Sequence, residues 1–161
     1  MTSLAPLDRL LSGGLPRGRL VEVVGRRSSG LFSCLLAVLA AATRAGHTVG
    51  LVDLGDGLSP ATARDHDIDL SRLLWVRPRR TGEALAAAEA LLSGGFPLVA
   101  VDLGPPPLPG GRGAEGAWTR LARTARARRS SLLVAAPYRV SGTAADTVIE
   151  ALPARGIWDR S

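Results

Sequence analysis

No lysine occurs anywhere in this 161-residue chain. All 20 basic side chains are arginines, so no ammonium group is available to grip a phosphoryl group as a compact point charge. The single cysteine, Cys34, excludes an internal disulfide, and its place in an apolar helical pattern reads as core filling. His47 and His66 stand apart, with no cysteine or paired carboxylate at ligand spacing, which argues against a metal site. Aromatic residues make up 4% of the chain, too few for a platform on which single-stranded nucleic acid would stack; Trp75 and Trp118 read as packing residues. The longest apolar run, residues 34–42, falls well short of the roughly 20 residues needed to cross a bilayer. Residues 1–11 carry Asp8 and Arg9 and have no apolar stretch of signal-peptide length. These absences predict a cytoplasmic protein without a membrane partner.

What is present is a chain with 46% hydrophobic residues, enough for one soluble domain with a full core. Its net charge of +6 points to an acidic partner, either nucleic acid or an acidic protein face. A uniform exchange of lysine for arginine is also what a GC-rich genome produces, so the arginine count by itself overstates the case for guanidinium chemistry.

The pattern alternates strands and helices. Residues 6–15 read as a short helix stopped by Gly13 and Gly14, and residues 20–24 as the first strand. Residues 31–45 are apolar nearly all round, the mark of a helix buried on most sides, and end at Gly46. Strands follow at residues 48–53, 73–76, 98–102 and 131–136. Between them lie a polar helix over 60–67, a helix over 82–93 capped by Thr81 with Glu83 in its first turn, and a basic helix over 117–129. Residues 104–116, rich in glycine and proline, form the one segment expected to be mobile. Residues 148–152 and 155–158 are expected to pair as a closing antiparallel hairpin. Short, continuously apolar strands imply an α/β fold with a mostly parallel sheet and helices on both faces. Ligands in such folds lie beyond the carboxyl ends of the strands.

At that edge stands Gly25-Arg26-Arg27-Ser28-Ser29-Gly30-Leu31-Phe32. A phosphate-binding loop of the form G-x-x-x-x-G-K-[ST] occupies such a strand-to-helix turn, its lysine reaching the β- and γ-phosphates and its hydroxyl holding Mg²⁺. Both glycines are here, but Leu31 has no charge and Phe32 has no oxygen for a hard cation. Two readings stand for Arg26 and Arg27: they hold an anion at the helix N-terminus, or they are solvated loop arginines.

The order of motifs resembles the core ATPase domain of the RecA recombinase family. Leu7-Asp8, then Gly13-Gly14-Leu15-Pro16 and Gly18-Arg19, are similar to that family's lead-in to its P-loop. Asp53-Leu54-Gly55-Asp56-Gly57-Leu58-Ser59-Pro60 resembles its strand-2 segment, and Asp102 falls where it has the Walker B aspartate. The resemblance implies a RecA-like P-loop core without the family's amino-terminal protomer-docking segment. It also locates the departures. The carboxylate that activates water would stand at Gly55, and Tyr138 lies where the family senses the γ-phosphate. With the lysine and the hydroxyl gone as well, the resemblance implies no catalysis and no cofactor.

Among RecA-like proteins, the short ImuA-type accessory proteins, related to the cell-division inhibitor SulA, share this profile. That resemblance implies an adaptor or modulator in DNA-damage-induced translesion synthesis, located at the nucleoid after damage. It would bind a Y-family-like polymerase homologue and also the RecA recombinase, with weak DNA contact. By the family's geometry a partner strand would dock near Leu74, Val76 and Leu91; read without the family, each is ordinary core. Arg120, Arg123 and Arg126, three apart on one helix, make a slanting band that faces either phosphate or an acidic partner, or is simply solvated. The competing functions are a nucleotide- or DNA-binding regulator, including a weak ATPase that uses Arg26 or Arg27, and a cell-division inhibitor.

Overall fold

Alternating short strands and helices build a single six-stranded sheet in the computed structural model, which describes residues 14–26 and 29–151. The expected helix over residues 6–15 lies largely outside them. The elements run β1 (Leu20–Gly25), α1 (Leu31–Arg44), β2 (Val49–Asp53), α2 (Pro60–Asp65), β3 (Leu73–Val76), α3 (Thr81–Ser93), β4 (Leu98–Asp102), α4 (Glu115–Arg128), β5 (Ser131–Ala136) and β6 (Thr147–Ala151). The strand order is β3-β2-β4-β5-β1-β6, and every neighbouring pair is parallel. Residues 148–152, expected to open an antiparallel hairpin, therefore fall mainly in β6, which runs parallel to β1 with Val21 opposite Thr147. The hairpin's other arm, residues 155–158, lies outside the described residues.

A parallel sheet needs cover on both faces, and the sequence supplies two apolar layers. On one side α1 lays Leu31, Leu35, Leu36 and Leu39 against Val21, Val23, Val49 and Leu51. On the other, Leu85, Leu91 and Leu92 of α3 and Trp118 and Leu121 of α4 pack on Leu20, Val99, Val101 and Leu132. Each such side chain contributes about 1.5–3 kcal/mol of burial energy. α1 ends as its composition predicts, with Gly46 at φ 91 after the last turn, a conformation that glycine adopts without steric cost.

Two local expectations resolve differently. Thr81 does not cap α3: it is the first helical residue, fully buried, and its hydroxyl and its N–H both donate to the Pro109 carbonyl, at 2.9 and 2.8 Å. Residues 104–116 are tied down at that point and at two others. Leu108 is buried in the core, and the Trp118 indole N–H donates to the Arg112 carbonyl at 3.0 Å.

Charge enters the core once on the α3–α4 face. Glu22, fully buried in β1, accepts from Val140 N–H at 2.7 Å, from Ser141 N–H at 3.3 Å and from the Ser141 hydroxyl at 2.7 Å. A buried carboxylate is tolerated only with such partners, and it ties the segment after β5 to the sheet.

Candidate functional site

Because all six strands point the same way, the loops that follow β1, β2, β4 and β5 gather at one edge. The loop after β1 turns at Gly30, whose φ of 79 places it in the left-handed region just before α1. Ser29 folds back on it, its N–H donating to the Arg26 carbonyl at 2.9 Å and its hydroxyl to the same oxygen. Gly25 must be glycine: a Cβ there would lie 2.6 Å from the Ser29 hydroxyl and 2.9 Å from the Ala151 carbonyl. Arg27 and Ser28 lie outside the described residues, and Arg26 is exposed.

The two positions that carry chemistry in an active phosphate loop face the protein. Leu31 is buried in the α1 layer, and Phe32 is half-buried against the same cluster. With Arg26, Asp102, Gly104 and Pro137 they line a cavity of about 230 Å³. Drug-sized ligand pockets run from about 300 to 1,000 Å³, so this one is small for a nucleoside triphosphate. A larger concavity, about 530 Å³, lies at the opposite end of the sheet, between α1 and the start of β5. It contains none of the loop residues.

Beside the cavity the turns after β2 and β4 touch. A Cβ on Gly55 would stand 2.7 Å from Gly104 Cα and 3.0 Å from the Asp102 carboxylate; one on Gly104 would stand 2.6 Å from Gly55 Cα. The N–H groups of Leu54 and Gly55 both donate to the Asp102 carbonyl, at 2.9 and 3.2 Å, which locks the approach. No side chain fits at Gly55. The place a side chain at residue 55 would take is thus occupied by a neighbouring backbone.

Two aspartates at strand ends organise loops. Asp102, at the end of β4, accepts from Gly104 N–H at 3.0 Å. Asp53, at the end of β2, accepts from the N–H groups of Gly57 and Leu58 and from the Trp75 indole, all within 3.1 Å. Arg77 lies over the Trp75 ring and pairs with Asp56 at 2.6 Å. Tyr138 packs against the core beneath Arg112, whose guanidinium sits 4.5 Å from the ring centre. Among the described residues no group of three or more His, Cys, Asp or Glu is placed to hold a metal, and no helix is long and apolar enough to cross a membrane.

A model of the MT3502 N-terminal domain family matches residues 9–141. The chain belongs to that family. The match spans the loop after β1, the Gly55–Gly104 contact and all the elements from β1 to β5, so the closed strand-end edge lies within the MT3502 N-terminal domain.

The remaining sequence-derived positions fall at two places. β3 is an edge strand, and Leu74 on it is 46% exposed; Leu70, just before it, is 42% exposed. Val76 is half-buried, whereas Leu91 is core, its side chain seated over Gly50, where a Cβ would come within 2.7 Å. The turn leading into β3 is braced by Asp69, whose carboxyl is held below the usual carboxylate range by hydrogen bonds from the Ser71 hydroxyl and N–H. Arg120, Arg123 and Arg126 are all exposed on α4. Arg120 pairs with Glu89 and Arg126 with Asp146, each at 3.6 Å. The sequence missed both carboxylates, which lie on α3 and in the loop before β6; no helical spacing connects either to the band.

Proposed function

We propose that this MT3502 N-terminal domain is a non-catalytic, RecA-like adaptor in DNA-damage-induced translesion mutagenesis. It works by binding a Y-family-like polymerase homologue, and also the RecA recombinase, at the nucleoid and without hydrolysing ATP. The observation that carries this reading is the contact between Gly55 and Gly104: the position the resemblance assigns to the catalytic carboxylate has no room for a side chain. Buried Leu31 and half-buried Phe32, in place of the lysine and the hydroxyl, point the same way. A site with no lysine clamp, no hydroxyl for Mg²⁺ and no base stabilises no phosphoryl-transfer transition state.

What remains is surface. Edge strands carry unpaired backbone groups that a partner strand can satisfy, and β3 offers an edge with an exposed Leu and no charged residue within it. In this reading the polymerase homologue supplies the strand. Leu74→Arg is expected to weaken its binding more than tenfold while leaving thermal stability within about 0.5 kcal/mol of the parent, as for other exposed positions. Calorimetric titration of the two purified proteins checks this; unchanged affinity would exclude the β3 edge as the contact. Leu91, being core, is not part of the contact surface.

The nucleotide-binding alternative rests on Arg26 at the rim of the small cavity. A division-inhibitor role has no separate structural support.

A further inference from the structure

The fold gathers arginines that the sequence keeps far apart. In the turn before β1, Gly18 lies against the last turns of α4: a Cβ on it would meet Arg126 Cα at 3.5 Å, and its N–H donates to the Ser130 carbonyl at 2.9 Å. Its φ of 73 is a conformation that suits glycine, and this lets the turn sit there. The contact sets the turn that carries Arg17 and Arg19 against the end of α4, which carries Arg126, Arg128 and Arg129; all five are exposed, and Arg17 also lines the concavity against α1. One carboxylate meets them. Asp146 accepts from Leu20 N–H at 2.9 Å and pairs with Arg19 at 3.2 Å and Arg126 at 3.6 Å. It orients two guanidiniums and neutralises one charge. Arg17, Arg128 and Arg129 make no ion pair among the described residues.

A helix C-terminus favours cations within its last turn, which accounts for Arg128 and Arg129. It does not account for Arg17 and Arg19, which come from another segment. Exposed charges of one sign on adjoining segments repel one another, and an anionic partner relieves that repulsion.

The partner's class follows from what is missing around the patch. Trp118 is fully buried, Trp75 is engaged by Asp53 and Arg77, and Tyr138 is covered by Arg112, so among the described residues no tryptophan or tyrosine ring is free for bases to stack on. A surface of exposed guanidiniums without stacking rings suits the phosphate backbone, whose contacts carry no sequence information. We propose that Arg17, Arg19, Arg126, Arg128 and Arg129 form a binding surface for the phosphate backbone of duplex DNA, independent of sequence. The site is separate from the β3 edge and requires no partner protein.

The test is fluorescence anisotropy of a labelled mixed-sequence duplex of about 20 base pairs, titrated with the full chain between about 50 and 200 mM salt. Contact with three to five phosphates gives a slope of log K against log salt of roughly −3 to −4.5. The triple variant Arg17→Gln, Arg128→Gln, Arg129→Gln should lose about two to three units of that slope and more than tenfold in affinity at the lowest salt. A charge-matched control, Arg64→Gln, Arg79→Gln, Arg80→Gln, should keep the parent slope. If the triple does not melt like the parent, the double variant Arg17→Gln, Arg129→Gln replaces it, with about two units of slope lost. A parent slope shallower than about −1, an unchanged slope in the variant, an equal loss in the control, or tighter binding to the matching single strand would each overturn the proposal. Binding to the polymerase homologue should survive the triple substitution, so failure here and failure of the adaptor reading are separate results.

Discussion

Gly55→Glu should lower stability by about 3 kcal/mol, the upper part of the usual range for a residue forced into a space already filled. For a domain of this size that is a fall of about 6–12 °C in melting temperature. The reason is backbone against backbone. The first atom of any side chain at Gly55 would stand 2.7 Å from Gly104 Cα, and the N–H groups of Leu54 and Gly55 are bonded to the Asp102 carbonyl across the same gap. Neither strand end can move without breaking these bonds, and a glutamate would in addition bring a second carboxylate close to Asp102. The glutamate should thus unfold the edge and, on the proposed RecA-like reading, confer no ATPase activity. Thermal unfolding followed by circular dichroism measures the cost. A variant that melts like the parent would mean that the two turns part readily in solution, and the closed edge would no longer support the non-catalytic reading.

Trp118→Ala is the second large effect, about 3–5 kcal/mol by the usual cost of emptying a buried aromatic site. Trp118 is fully buried between α4 and the sheet, in the layer it shares with Leu85, Leu92 and Leu121. Its indole also holds the Arg112 carbonyl, so the substitution releases the end of the 104–116 segment as well as opening a cavity. Trp118→Phe should recover most of the packing and leave the Arg112 carbonyl unbonded, at a cost of about 1–2 kcal/mol. Chemical denaturation of the three proteins gives both numbers, and hydrogen exchange at residues 104–116 reports the loop. Equal protection in all three would show that the segment is held by Leu108 and Pro109 alone.

Much of the fold is legible because parallel strands and buried helices write strong local patterns. β3 and β5 fall at the expected residues, and α1 is predicted as a helix buried on most sides because nearly every position from Leu31 to Thr43 is apolar or small. What local pattern cannot carry is partnership across the chain. β6 reads equally well as a hairpin arm or as a sixth parallel strand, and its pairing with β1 depends on residues more than a hundred positions away. Thr81 has the composition of a cap, yet its hydroxyl is claimed by Pro109, which no helix-start rule anticipates.

The site was half legible for the same reason. The apolar identity of Leu31 and Phe32 already points to their burial at the start of α1. Gly55 announces only the lack of a carboxylate; that Gly104 fills the place appears once β2 and β4 are paired with Asp53 opposite Asp102. Likewise the arginine band on α4 is visible as a spacing of three. The carboxylates that engage two of its members, and the Pro16–Arg19 turn that shifts the surplus charge to the helix end, are tertiary facts.

The most direct measurement is a calorimetric titration of the intact chain with ATP and Mg²⁺, paired with a phosphate-release assay on the same sample. The account predicts no binding at nucleotide concentrations up to about 1 mM, the upper end of ordinary substrate affinities, and no release above the background. Micromolar binding of ATP with magnesium, with turnover at about 1 per second or faster, would contradict it.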